Sequence, residues 1–262
     1  MNKETLIQKI KEKKELSGLD DSVILEVLEK AVSQSKVNLQ TAKKAEIKDL
    51  IKKSRAELRK FSGRFTSSFE ERLSLLKENK IQELIKTHSS TRERLDFYPT
   101  LNNLIKNLRI KSILDLGCGL NPIAIAFENP RIEYYPCDIN NNDLKIVKEF
   151  FKKENISGKV FFYDLRKKDQ KLPKVDLCLI MKVFDVVEQQ GHKLAERIIN
   201  SVNAKYFLIS FSTKTLSGKP MNHPQRGWIE RLLSRLGYNF QIINHKNEIF
   251  YLASKTKESV SL

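Results

Sequence analysis

Three carboxylates and a pair of glycines carry the chemistry most visible in this chain. Residues 112 to 122 read Ser-Ile-Leu-Asp-Leu-Gly-Cys-Gly-Leu-Asn-Pro. Ile113, Leu114 and Leu116 suit a strand buried on both faces. Gly117 and Gly119, lacking a Cβ, let the backbone turn sharply and approach a ligand closely. Asp115 ends that strand, where the ligands of open α/β sheets collect. Asp138 closes a second run, Tyr134-Tyr135-Pro136-Cys137-Asp138, about twenty residues beyond the loop, where a carboxylate can accept hydrogen bonds from both hydroxyls of a ribose. Asp164 ends a third, Phe161-Phe162-Tyr163-Asp164. The loop lacks the third glycine of the dinucleotide fingerprint, and no Lys-Ser or Lys-Thr follows as a P-loop requires. It therefore reads as a nucleotide-cradling loop for which pyrophosphate is not the favoured guest. The competing structural reading is a strand-to-helix turn whose glycines serve geometry alone.

A second kind of chemistry lies upstream. From Lys43 to Arg64 nine basic residues (Lys43, Lys44, Lys48, Lys52, Lys53, Arg55, Arg59, Lys60 and Arg64) face three acidic ones (Glu46, Asp49 and Glu57). That density on one helix suits a phosphate backbone, which Lys and Arg bind through charge and counterion release; the alternative is a solvated helix face. The whole chain agrees in sign, with 48 Lys+Arg against 32 Asp+Glu and a formal charge of +16. Nucleic acid is the first partner such a balance implies, although many of these lysines sit beside Glu at helical spacing.

Positioning such residues takes a sheet and helices, and 262 residues suffice for one α/β domain with a smaller appendage. Residues 1–108 hold almost no Gly or Pro and show helical spacing: Val23, Ile24, Val27, Leu28, Ala31 and Val32 follow the capping candidates Asp20, Asp21 and Ser22, and Ile47, Leu50, Ile51 and Leu58 share one face. Ser68-Phe69-Glu70-Glu71 resembles a capping box ahead of Leu73, Leu75 and Leu76. From 109 to 262 strands and helices alternate, as in βαβ units with a largely parallel sheet. The expected strands are 112–116, 132–137, 160–163, 176–181, 206–210, 240–244 and 248–254, with helices near 143–154, 187–202 and 227–236 and a tight connection at Asn247.

Cys118, Cys137 and Cys178 are odd in number and scattered, which disfavours a disulfide framework and fits a reducing cytosol. No pair has zinc spacing and the four histidines are isolated, so no structural metal is expected. Lys3, Glu4 and Lys9 interrupt the N-terminus, and no apolar run approaches the roughly 18 residues of a membrane span. A soluble, unprocessed, cytoplasmic protein is the expectation.

The Asp-x-Gly-x-Gly loop resembles the first motif of the S-adenosylmethionine-dependent methyltransferases, and longer segments are similar to one family among them, the aminoglycoside-resistance 16S rRNA (guanine-N7) methyltransferases. His88-Ser89-Ser90-Thr91-Arg92-Glu93-Arg94 resembles that family's His-x-Ser-Thr-x-Glu-Arg segment, and residues 115 to 122 its cofactor loop with the Leu-Asn-Pro continuation. Leu179-Ile180-Met181-Lys182 with Glu188-Gln189-Gln190, and the stretch Ser210 to Lys219, resemble its fourth strand and helix and the loop after its fifth strand. Ser212 stands where the family has Pro, Lys219 where it has Arg, and residues 222–227 find no match.

The resemblance implies a Rossmann-like class I methyltransferase, α/β, with a seven-stranded mostly parallel sheet ending in an antiparallel hairpin, preceded by a basic helical domain (1–108) that binds ribosomal RNA on the 30S subunit. It implies S-adenosylmethionine as cofactor, held at the methionine carboxylate by Arg92 in preference to Arg94, by Asp115, Gly117, Gly119, Asn121 and Asp138, and by Asp164 and Leu165 at the adenine. Lys182 and Lys214 are placed beside the target phosphate or base, because a lysine following an apolar strand is unusual without a ligand or acid to meet; snorkelling to solvent is the alternative for Lys182. Phe184, Phe211 and Trp228 are candidates for stacking an extruded base, or else are core. Guanine N7 carries an exposed lone pair, so no general base is demanded and catalysis comes from alignment. Two other functions remain open at this level: methylation of a small molecule or protein, and a non-catalytic RNA-binding module.

Overall fold

The computed structural model describes residues 2–60, 62, 67–167, 171–187, 192–215, 218–222 and 224–255. Its N-terminal helices start where polar side chains take up orphan amides. Asn2 accepts from the Thr5 amide at the head of α1 (Lys3–Lys11), and Asp20 from the Ser22 amide at the head of α2 (Asp21–Ser35). A 3-10 turn (Lys14–Leu16) links them. With α3 (Lys44–Leu58) they enclose one apolar cluster built from Leu6, Ile10, Val23, Ile24, Leu28, Ile47, Leu50 and Leu58.

The expected Ser68–Glu71 capping box opens α4 (Phe69–Lys77), which is followed by α5 (Ile81–Lys86), α6 (Ser89–Glu93) and α7 (Tyr98–Asn107). These helices bury their apolar faces on the sheet: Leu76, Leu84, Ile85, Phe97, Leu101 and Leu104 share a cluster with Ile113, Tyr134, Leu177 and Leu208. The apolar cores therefore divide between Leu58 and Leu76, upstream of the boundary near 108 that the change of sequence pattern suggests.

The sheet is the seven-stranded, mostly parallel one expected: β1 (Ser112–Leu116), β2 (Glu133–Asp138), β3 (Phe161–Phe162), β4 (Val175–Met181), β5 (Ala204–Ser212), β6 (Asn239–His245) and β7 (Glu248–Ser254). Among the described residues the order is β3-β2-β1-β4-β5-β7-β6, with β7 antiparallel to both of its neighbours. β1 pairs with β2 on one side and β4 on the other, which places the topological switch point at the carboxyl ends of β1 and β4, where open α/β sheets bind ligands. The two faces are covered by α8 (Asn121–Glu128), α9 (Asn141–Lys153), α10 (Phe184–Val187), α11 (Lys193–Ser201) and α12 (Gly227–Arg235), together with α4–α7. α8 was not anticipated from the sequence. Every residue from Asn121 to Ala126 is buried, so the helix has no polar face and no 3.6-residue signal. β5 runs past the expected 206–210 because β7 pairs with it as far as Ser212↔Glu248. Cys118, Cys137 and Cys178 are free and buried.

Candidate functional site

The glycine loop leaves β1 in a left-handed turn, with φ +67 at Gly117 and +50 at Gly119, backbone that a β-carbon disfavours. Neighbours fence both positions. A Cβ on Gly117 would lie 2.7 Å from a Val183 methyl, and one on Gly119 would lie 2.9 Å from His88 Cε1. The loop is fastened to β2: the Gly117 and Cys118 amides donate to the Cys137 carbonyl at 2.9 and 3.0 Å, and the Gly119 amide donates to Asp138 Oδ2 at 3.0 Å. Asp138 Oδ1 accepts from the amides of Ile139 (2.7 Å) and Asn140 (3.0 Å). A carboxylate accepts about four hydrogen bonds, so this one, only partly buried, keeps capacity for a hydroxyl.

Asp115 is fully buried behind the loop. Its Oδ2 accepts from the Tyr134 hydroxyl at 3.0 Å, while Oδ1 has no hydrogen-bond partner among the described residues. Burial pushes its carboxyl up to about 7, against the pull of the Tyr134 hydroxyl and of the Arg94 charge. His88, at the N-terminal boundary of α6, is neutral: burial, with the Arg94 and Arg72 charges adding, takes its imidazole down to about 3.

Of the two arginines proposed for the cofactor, the structure brings Arg94 to the loop and leaves Arg92 exposed. Arg94 is 2% exposed, donates through Nε to both oxygens of Glu248 (2.8 and 3.0 Å) and through Nη1 to Asn121 Oδ1 (3.0 Å), and keeps Nη2 without a partner. Asn121 Oδ1 also accepts from the Tyr98 hydroxyl at 2.8 Å. Glu248 is the residue that sequence reasoning missed. It is 2% exposed, accepts from the Ser210 hydroxyl, and lies 3.3 Å from Lys182 Nζ. The signal was present: Glu248 opens a strand that is buried at every position, and a carboxylate there demands a charged partner. Lys182, at φ +58 just beyond β4, places Nζ 2.6 Å from Glu93 Oε2. It meets acids, as its position after an apolar strand demanded, and does not snorkel.

The remaining expectations divide. Asp164 is buried at the end of β3, but Arg166 grips it through Nε (2.9 Å) and Nη2 (2.6 Å); burial raises its carboxyl and Arg166 more than reverses that, leaving it below its ordinary value. Leu165 is buried beside it, and Lys214 is exposed in the segment after β5. Ser212 donates its amide to Asp185 Oδ2 at 2.8 Å, a bond that the family's proline could not make. Phe184 and Phe211 are 1% exposed and belong to the core, which removes them as stacking platforms; Trp228 is partly exposed, with His192 stacked on one face at 4.0 Å. On α3, Lys43, Lys44, Lys48, Lys52, Lys53 and Lys60 are exposed, the last two paired with Asp49 and Glu57. Arg55 and Arg59 also tie α3 to the first helices, through the Lys9 carbonyl, Glu12 and Glu15, Arg55 half-buried and Arg59 still exposed. Arg64 and residues 188–190 lie outside the described residues. Among those described, no group of three or more His, Cys, Asp or Glu could hold a metal ion, and no helix is long and apolar enough to cross a membrane.

A family model described as ribosomal RNA methyltransferase (FmrO) matches residues 29–252. The 16S rRNA (guanine(1405)-N(7))-methyltransferase of Serratia marcescens is 26% identical over 216 residues, 79% of this chain and 84% of that protein. The crystal structure of the 16S rRNA methyltransferase RmtF in complex with S-adenosyl-L-homocysteine superposes with a TM-score of 0.79 at 22% identity, covering 98% of this chain and all 100% of the other. The 16S rRNA methylase RmtB gives 0.75 at 20% identity, covering 98% and 99%. At those identities the structural likeness fixes the fold, a Rossmann-like class I methyltransferase sheet behind a helical N-terminal region.

Proposed function

This chain belongs to the ribosomal RNA methyltransferase (FmrO) family, and from that premise we propose that it transfers the methyl group of S-adenosylmethionine to N7 of a guanine in the decoding region of 16S rRNA. The observation that carries the reading is the loop geometry at the switch point: Gly119 clasps Asp138, with the unpartnered Arg94 Nη2 and Asp115 Oδ1 behind it. A buried guanidinium nitrogen and a buried carboxylate oxygen, close enough to feel each other's charge, complement the carboxylate and ammonium of an amino acid. Asp138 suits a ribose, and a loop with neither the third glycine of the dinucleotide fingerprint nor a following Lys-Ser or Lys-Thr suits a nucleoside without phosphate. These residues fit the methyl donor, which supplies an electrophilic methyl on a sulfonium when bound.

The work left to the chain is alignment. Guanine N7 needs no deprotonation, and near-attack positioning is worth roughly 7–11 kcal/mol. Lys182 and Lys214, at the ends of β4 and β5, flank the edge at which a base would meet the methyl, and the Glu93 and Glu248 carboxylates hold the Lys182 ammonium in place. Carboxylates and carbonyls around a dispersing positive charge matter more here than an acid–base pair. The exposed lysines of α3 offer charge to the RNA backbone, and a cytoplasmic setting follows from a ribosomal substrate. Tritiated methyl transfer to purified 30S particles, mapped by N7-specific strand cleavage, tests the reading: label is expected at one guanine, and an absence of label in ribosomal RNA would refute it.

A further inference from the structure

We propose that residues 17–20, the turn joining the 3-10 segment to α2, are the positioning element for the ribose side of the cofactor pocket, so that the N-terminal helical unit governs cofactor affinity in addition to any contact with RNA. The inference rests on the reading of Asp138 as the ribose acceptor. The Asp138 carboxylate is oriented by the amides of Ile139 and Asn140, and this same segment is strapped from across the chain. The Asp20 amide donates to the Ile139 carbonyl at 3.0 Å, the Asn141 amide donates to the Gly18 carbonyl at 2.7 Å, and Leu19 and Asn140 form an antiparallel bridge. Asn141 Nδ2 donates to Asp20 Oδ2 at 2.8 Å, while Asp20 Oδ1 caps α2. Ile139 and Phe162 pack against the apolar cluster of α1–α3.

Space reinforces the strap. A Cβ on Gly18 would lie 2.1 Å from Asn140 Oδ1, the atom that caps α9 by accepting from the amides of Asn142 (3.0 Å) and Asp143 (3.2 Å). Gly18 has no positive φ, so its glycine is required by the close approach alone. A weaker contact runs in parallel on the adenine side: Glu26 of α2 reaches Arg166 at 3.5 Å, and Arg166 grips Asp164. The segments that follow two strand ends of the pocket are thus braced by the N-terminal helical unit. Holding a binding loop in its bound conformation raises affinity because the ordering is already done before the ligand arrives.

The test uses the full chain in four forms: wild type, Gly18→Ala, Asn140→Ser and the double variant, with S-adenosylhomocysteine binding measured by calorimetry and amide hydrogen exchange of residues 139–143 measured without ligand. Gly18→Ala is expected to weaken binding at least about tenfold, a change of about 1.4 kcal/mol, and to speed exchange. The double variant should regain affinity towards that of Asn140→Ser, whose shorter side chain still caps α9; thermal melts of the four forms separate lost affinity from a general loss of stability. Asn141→Ala removes only the exposed Asn141–Asp20 bond, so it decides the matter should Gly18→Ala not fold, with a severalfold loss expected. Wild-type binding with unchanged affinity and exchange in the variants overturns the inference alone. Wild-type protein that ignores S-adenosylhomocysteine overturns the functional reading and the inference with it.

Discussion

Glu248→Gln removes one charge and little volume from the most buried ion pair of the site. Arg94 and Glu248 are each 2% exposed, and the guanidinium Nε meets both carboxylate oxygens at 2.8 and 3.0 Å. Removing one partner of such a pair costs about 3–5 kcal/mol, because the remaining charge stays buried without compensation. The carboxamide keeps one acceptor for Nε, which favours the lower end, about 3 kcal/mol. For a chain of this size each kcal/mol moves the melting temperature by roughly 2–4 °C, so the variant should melt about 6–12 °C below wild type. Scanning calorimetry at neutral pH and moderate salt measures this directly. Glu93→Gln is the internal control: its carboxylate also binds Lys182 but is 41% exposed, and it should shift stability by under about 1 kcal/mol. Joint replacement by Arg94→Met and Glu248→Leu should recover much of the loss, since a well-packed apolar pair can equal a buried ionic one. A Glu248→Gln melt within two degrees of wild type would mean that Arg94 is hydrated, and the reasoning about its enclosure would fail.

Three further outcomes follow from the same geometry. Asp115 has a folded-state carboxyl raised from 3.8 to about 7, so the folded chain binds its proton more tightly than the unfolded one; its contribution to stability is present below the unfolded value, falls as pH rises from about 4 to 7, and is flat above. The difference between wild-type and Asp115→Asn unfolding free energies should change across that window, and a constant difference refutes the raised value. Gly119→Ala should abolish measurable S-adenosylhomocysteine binding in calorimetry and cost roughly 1–2 kcal/mol of stability, because its φ is +50 and its Cβ would press on His88. Replacing Lys44, Lys48 and Lys52 with Gln should flatten the log–log salt dependence of RNA binding by about 2 to 3, as loss of three phosphate contacts requires; an unchanged slope would remove α3 from the RNA interface.

What the sequence disclosed followed burial and periodicity. The strands stand within a residue or two of expectation because apolar runs bounded by polar segments leave little choice of extent, and the Ser68 box and the Asp20 cap were readable as local chemistry. α8 was invisible because burial on all sides erases amphipathic spacing. Glu248 stood inside an expected strand, yet its partners Arg94 and Lys182 are 154 and 66 residues away in number (248 − 94 and 248 − 182), and no local rule supplies a pairing of that kind. Arg55 and Arg59 counted towards a basic stripe by composition; only the packing of α3 against α1 shows that they face Glu12 and Glu15. The approach of Gly18 to Asn140 is equally non-local, and a glycine between Ser17 and Leu19 carries no signal by itself.

The choice between Arg92 and Arg94 shows how the fold resolves what a motif leaves open. Two residues apart on a helix, they point roughly 200° away from each other, so the short α6 can bury only one. His88, at the other end of α6, lies beside Gly119, while the fully buried Thr91, three residues before Arg94 and so on the same face, fixes which side looks inward. Arg94 then meets Asn121 at the foot of α8, while Glu93, one residue earlier, reaches Lys182 and lies 3.4 Å from Asn247 Nδ2. One five-residue helix therefore braces the Gly117–Gly119 loop through its ends and Lys182 through Glu93. Through α6 the glycine loop and Lys182 are linked by direct contacts. The His-x-Ser-Thr-x-Glu-Arg spacing is thus a geometric requirement of the site, with its histidine, glutamate and final arginine each facing a different part of it.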